Sequence, residues 1–307
     1  MNLKILSLQI LALSILSFLS GSIQDNIAFS HEINSSDTEK PSKFDHLHPI
    51  YDSLLKKYVH NARVDYRGFI SSSEQFNTYL KQLGSVSEKD YVSWSREEKL
   101  AFWINAYNAF TIKAIIDHYP IKSKLSLSSI IYPKNSIRQI NGVWDKLRFQ
   151  AAGKMVSLNE IEHELLRKKF DEPRIHFAIV CASVGCPDLL SEAYRADKIN
   201  SQLESQAVKF VNNTIKGAQI NTVEEMVKLS KIFDWFGEDF IDKYGSTELF
   251  KGRSAKEKAV LNFIREHIKS EEERFFLGSK HFKISYFDYD WNLNEYKGSE
   301  TEKVLQE

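Results

Sequence analysis

Residues 99–112 read Lys99-Leu-Ala-Phe-Trp-Ile-Asn-Ala-Tyr-Asn-Ala-Phe-Thr-Ile112. The stretch predicts the middle of the longest helix of the chain, Ser95–His118. Phe102, Trp103, Ile104, Phe110 and Ile112 cover nearly every face of it, and a helix apolar all round belongs inside a domain. Asn105 and Asn108 then sit three residues apart in a core, where amides must find partners. Asn105 either holds a neighbouring loop in place or orients a catalytic group or substrate.

Around this helix the predicted elements are mostly helical: His48–Tyr58, Ser73–Leu83, Leu158–Lys169, Asp188–Tyr194, Ala196–Asn213, Ile232–Lys243 and Ser254–Ile268. Strands are expected at Ile175–Cys181, Gln219–Ile220, Met226–Leu229 and His281–Phe287, with irregular chain or short strands over Ile130–Phe149. The expected fold is α+β, a helix-rich single domain packed around a small β-sheet. Composition agrees: 12 Gly and 6 Pro in 307 residues are roughly half the usual share of punctuation, which favours long helices over many short strands.

The 41 basic and 41 acidic residues cancel, and 42% of the chain is hydrophobic. No basic stripe recommends a nucleic-acid partner. No Gly-rich phosphate loop and no Ser-centred elbow is present, and nothing calls for a cofactor. Lys4 precedes an apolar run, Ile5–Leu19, and then the small residues Ser20-Gly21-Ser22. This is the pattern of a secretory signal, too short for a bilayer span. The expected organisation is a signal over 1–23, a polar leader over 24–43, one domain over 44–296 and a polar tail over 297–307. The expected location is periplasmic or secreted, with no integral membrane span after signal removal.

Three further patches carry chemistry. Ser157 and Glu160 form a Ser-x-x-Glu capping box that starts a helix. At 100° per residue Glu162 lies about 40° from Leu158, inside the apolar arc. A carboxylate aimed at a core is costly unless paired or protonated. Glu162 is therefore a site candidate, or one half of a salt bridge to Arg174. His163 falls at the border of the same face.

In Pro173-Arg-Ile-His-Phe-Ala-Ile-Val-Cys-Ala-Ser-Val-Gly-Cys-Pro-Asp-Leu189 the apolar run reads as a buried strand with Arg174 and His176 on one face, towards Glu162. Cys186-Pro187 would open the next helix, where a thiol pKa falls. Cys181 and Cys186 are the two cysteines of the chain. In an exported protein they form a disulfide if the loop doubles back, or supply a nucleophile with a histidine base and an orienting carboxylate or amide. A metal held by Cys181, Cys186, His176 and His163 lacks the usual ligand spacing, and no metal is expected. In Ile284–Asn294 the alternating Asp288, Asp290, Asn292 and Asn294 lack the Gly and late Glu of a calcium loop. Asp290 is expected to cap the turn and Trp291 to pack on the domain.

Ala101–Ala109 (AFWINAYNA), Ser157–Arg167 (SLNEIEHELLR), Pro173–Leu189, Ile232–Phe240 (IFDWFGEDF) and Asp288–Asn294 (DYDWNLN) together resemble the domain of unknown function 547 family, and Val64-Asp65-Tyr66 looks like its entry. The resemblance spans about Phe44 to Asn294. It implies a site around Glu162, His163, His176, Cys181 and Cys186 and names no reaction.

The leading expectation is an exported thiol-dependent hydrolase or acyl transferase acting on a peptide or envelope-associated substrate. Cys186 would be the nucleophile, or Cys181 if the loop presents it, with His176 as base, His163 second, and Glu162 and Asn105 orienting or stabilising. The alternatives are a non-catalytic binding or scaffold module stapled by a Cys181–Cys186 disulfide, and a thiol–disulfide redox protein.

Overall fold

The Ser95 hydroxyl accepts from the Glu98 N–H at 3.1 Å, and the Glu98 carboxylate accepts from the Ser95 N–H at 2.7 Å. This reciprocal cap launches the helix Arg96–Ile116, buried without a break from Leu100 to Ile112. Each large apolar side chain it buries contributes roughly 1.5–3 kcal/mol. The computed structural model describes residues 43–122, 130–246, 248–279 and 281–298. The expected signal, almost all of the expected leader and the end of the tail lie outside the described residues.

The fold is α+β and helix-rich. Helix Ser73–Ser85 packs on both the long helix and helix Pro49–Tyr58, with Tyr51 stacked on Tyr79 at 4.8 Å between ring centroids. A second hydrophobic cluster gathers Phe177, Phe210, Phe233, Phe240 and Phe263, contributed in part by helices Ile199–Val211 and Ala255–His267. Strand content is divided among three small sheets: β1 (Val59–His60) with β2 (Arg63–Val64), β3 (Phe149–Ala151) with β4 (Lys154–Val156), and a three-stranded sheet of β5 (Ala218–Asn221), β6 (Met226–Leu229) and β7 (Lys283–Tyr286). Central β6 runs antiparallel to β5 and parallel to β7, with Val227 opposite Ile284.

Three local expectations are corrected. Ile175–Cys181 is no strand. Pro173–Phe177 is a 3-10 helix, begun by Pro173 and by the Glu172 carboxylate accepting from the Arg174 N–H. The backbone beyond it finds a side chain in place of a strand neighbour: Asn108 Nδ2 donates to the Ala178 carbonyl at 2.9 Å and Asn108 Oδ1 accepts from the Val180 N–H at 2.8 Å.

Asp188–Tyr194 is not helical. Side chains of other helices again take its backbone groups. Gln206 donates to the Asp188 carbonyl, Gln202 to the Ala193 carbonyl, Asp52 accepts from the Ala193 N–H, and Asn105 bonds both backbone groups of Tyr194. Ile232–Lys243 divides into helix Lys231–Phe236, a 3-10 turn Gly237–Phe240 and helix Ile241–Tyr244.

Candidate active site

The capping box at Ser157 is present in both directions, at 2.7 and 3.2 Å. The segment it starts is wound as a π-helix over Glu160–Arg167. Wider winding of this kind recurs at functional sites. Glu162 and His163 from this segment, His176 from the 3-10 helix, and Cys181 and Cys186 from the following loop line one cavity of about 200 Å³. Trp144, Trp235, Phe236 and Trp291 supply much of its wall, and Tyr107 and Tyr289 bring hydroxyls. The cavity draws residues from both hydrophobic clusters.

The cysteine loop is held from outside. The Asn294 N–H donates to the Ala182 carbonyl, the Val184 N–H to the Asn292 carbonyl and the Gly185 N–H to the Asp290 carbonyl. A Cβ on Gly185 would lie 2.9 Å from the Asp290 nitrogen, so this approach requires glycine. Lys216 clamps the other side through the Cys186 carbonyl and the Asp188 carboxylate. Ala182, immediately after Cys181, sits at φ 58°. A non-glycine residue adopts that left-handed conformation at a cost of about 1 kcal/mol or more.

Both cysteines are free thiols. They are not equivalent. Cys181 is partly exposed, whereas Cys186 is buried. The neighbouring Cys186 thiol, with the Tyr289 hydroxyl at 3.2 Å and Ser183 at 3.6 Å, brings the Cys181 pKa down to about 7, against burial. Burial, and then the hydrogen bond and charge of Cys181, push the Cys186 thiol well above its ordinary range. This corrects the expectation that Cys186 is the activated thiol: residues 187–190 form no helix, so no helix N-terminus reaches it.

Glu162 has Tyr107 as partner, the phenol donating at 3.0 Å. Arg174 is elsewhere, paired with Glu172 and Glu204. Burial raises the Glu162 pKa to about 7, with the Cys181 charge adding and Tyr107 and Arg167 opposing. His163 Nδ1 lies 2.7 Å from Arg167 Nη1. A guanidinium only donates, so this nitrogen accepts and the ring is neutral with its proton on Nε2. Burial, then Arg167, lowers its pKa.

Arg167 also grips Asp239 through two bonds, at 2.6 and 2.7 Å. Asp239 is 2.7 Å from His176 Nε2, whose ring stacks on Phe236 at 4.2 Å. Burial keeps His176 neutral despite Asp239. Arg167 and His176 hold the Asp239 carboxyl below its usual range.

No hydrogen bond joins either histidine to Cys181 among the described residues, so the expected Cys–His pair is not assembled. Asn105 does not line the cavity. Its amide is spent on Tyr194, at 2.7 and 2.9 Å. Among the described residues no group of three or more His, Cys, Asp or Glu side chains is placed to hold a metal ion. Asp290 caps its turn as expected, accepting from the Asn292 N–H at 2.9 Å, while Trp291 lines the cavity. Sequence reasoning missed Tyr107, Tyr289, Arg167, Asp239 and Arg138. A charged Asp239 within the aromatic stretch Ile232–Phe240 was the clearest available signal.

Residues 91–211 match the family model described as "Protein of unknown function, DUF547". Comparisons with curated proteins and with solved structures give no match.

Proposed function

For a chain that belongs, through residues 91–211, to the DUF547 family, whose description assigns no activity, we propose a thiol-dependent hydrolase or acyl transferase with Cys181 as nucleophile. The observation that carries this reading is the asymmetric pair in one cavity: Cys181 is partly exposed with the Tyr289 hydroxyl 3.2 Å from its sulfur, while Cys186 is buried and its sulfur accepts from the Cys181 N–H at 2.9 Å. A thiolate available at neutral pH is the attacking species such chemistry needs.

In this scheme the Cys181 thiolate attacks an acyl carbonyl. A carbon–sulfur bond forms, and the carbon–nitrogen or carbon–oxygen bond breaks. The leaving group takes the proton of neutral Glu162. The Glu162 carboxylate then takes a proton from water, whose oxygen attacks the thioester and releases the acid and the thiolate. Tyr107 orients Glu162. The Arg167–Asp239–His176 network supports the wall that carries His163. The N-terminal pattern favours export and an envelope-associated or peptide substrate.

The test is the acyl-enzyme. Incubation with p-nitrophenyl acetate should give a burst of p-nitrophenol and a mass increase of one acetyl group on the peptide containing Cys181. Cys181→Ser should abolish both and Cys186→Ser should retain both. Acetylation confined to Cys186, or none, would end the reading.

One observation favours a second reading, thiol–disulfide redox: the Cys181 N–H donates to the Cys186 sulfur at 2.9 Å, so the loop brings the two cysteines together. A reduction potential within reach of a glutathione buffer supports it, and a far more negative one removes it.

A further inference from the structure

Arg138 stands in the cavity wall. Its guanidinium carbon lies 4.4 Å from the Tyr132 ring centroid, 4.9 Å from that of Trp291 and 5.2 Å from that of Trp144. One N–H bond is made, from Nη2 to the Tyr132 hydroxyl at 2.7 Å. Among the described residues no carboxylate pairs with it, in contrast to Arg167, whose charge is met by Asp239. Three aromatic rings thus hold a planar cation in place while, among the described residues, most of its N–H edge has no acceptor. The rings flank the guanidinium with apolar surface, which strengthens an ion pair formed against it. A guanidinium fork matches the two oxygens of a carboxylate. A phosphate dianion would bring a second negative charge beside the Cys181 sulfur and Glu162.

We propose that Arg138 is the recognition residue of this cavity, and that the acyl compounds it admits carry a carboxylate within one cavity length of the carbonyl attacked by Cys181. The proposal rests on the nucleophile assignment above. It gives that site a substrate class: peptide-like acyl compounds with a terminal or side-chain carboxylate.

The experiment compares iodoacetate with iodoacetamide on the full chain at neutral pH, following Cys181 by peptide mass spectrometry. Iodoacetate carries the carboxylate and iodoacetamide does not. The expected result is saturable iodoacetate labelling faster than iodoacetamide labelling. Arg138→Gln should slow iodoacetate about tenfold or more, the size of a lost charge-assisted hydrogen bond, and leave iodoacetamide within about twofold.

A second arm needs no variant. N-acetylphenylalanine or N-acetylaspartic acid α-amide should protect wild-type Cys181 from iodoacetamide, while N-acetylphenylalanine amide should not. Protection by the first assigns a chain-terminal carboxylate, and by the second a side-chain one. Equal labelling by both reagents, with no protection by either acid, overturns the Arg138 proposal and leaves the nucleophile standing. No labelling of Cys181 by either reagent ends both.

Discussion

The backbone N–H of Cys181 donates to the sulfur of Cys186 at 2.9 Å. The loop between them therefore doubles back and places two chemically identical side chains in unlike surroundings. Both line the cavity, but Cys181 is partly exposed with the Tyr289 hydroxyl at 3.2 Å, whereas Cys186 is buried. In the proposed reading that asymmetry, and not proximity to a histidine, selects Cys181 as the nucleophile.

Tyr289 is the hydroxyl nearest the Cys181 sulfur, at 3.2 Å. Tyr289→Phe removes a donor to the thiolate and disfavours the charged form. Its pKa should rise by about one unit, since a hydrogen bond to a charged group is worth roughly 1.5–3 kcal/mol. Alkylation of Cys181 at pH 7 should slow several-fold to about tenfold. An unchanged pH dependence would remove Tyr289 from the account.

Asn105 and Asn108 separate positioning from framework. Asn108→Ala orphans the Ala178 carbonyl and the Val180 N–H, one residue before Cys181, and should cost about 2–4 kcal/mol while altering Cys181 reactivity. Asn105→Ala should cost a similar amount and leave the Cys181 alkylation rate within about twofold. Thermal melts paired with alkylation rates check both. A slowed thiol in Asn105→Ala would restore that residue to the site.

Glu162 sets a pH dependence of stability. Its folded pKa, about 7, lies above its ordinary value of 4.5. The folded state is therefore favoured at low pH, and that advantage fades as pH rises through about 7, by about 2 kcal/mol after allowing for the pocket water that reaches the side chain. Glu162→Gln should lack this change. The wild-type minus Glu162→Gln difference in stability should fall between pH 5 and pH 8. A flat difference would refute the raised pKa.

Asp239 acts in the opposite direction. Its carboxyl is held down by Arg167 and His176, so its contribution is present above about pH 4 and is lost as pH falls through its folded value. Asp239→Asn should cost about 2 kcal/mol at pH 7 and progressively less in acid, read from denaturant melts. A cost that grows in acid would contradict the network.

Much of the frame was legible because it is local. The capping box at Ser157 and apolar periodicity mark helix starts that the structure keeps, and the expected starts at Ser95 and Ser254 prove to carry capping boxes as well. The segments misread share one cause. In Ile175–Cys181 and Asp188–Tyr194 the backbone hydrogen bonds are satisfied by Asn108, Asn105, Gln202, Gln206 and Asp52. These side chains are distant in sequence, and no local period reveals them. The gathering of Glu162, His163, His176 and the two cysteines was readable as a set. Their division of labour was not, because it depends on Tyr289, Tyr107 and Asp239 reaching in from elsewhere.

The most direct measurement is the alkylation rate of each cysteine by iodoacetamide from pH 5 to pH 10, read by peptide mass spectrometry. The account predicts that Cys181 reacts with a midpoint near pH 7 and that Cys186 stays silent until well above pH 9. Prior reaction of Cys186, or a Cys181 midpoint at an ordinary thiol value of about 8.5, would contradict it.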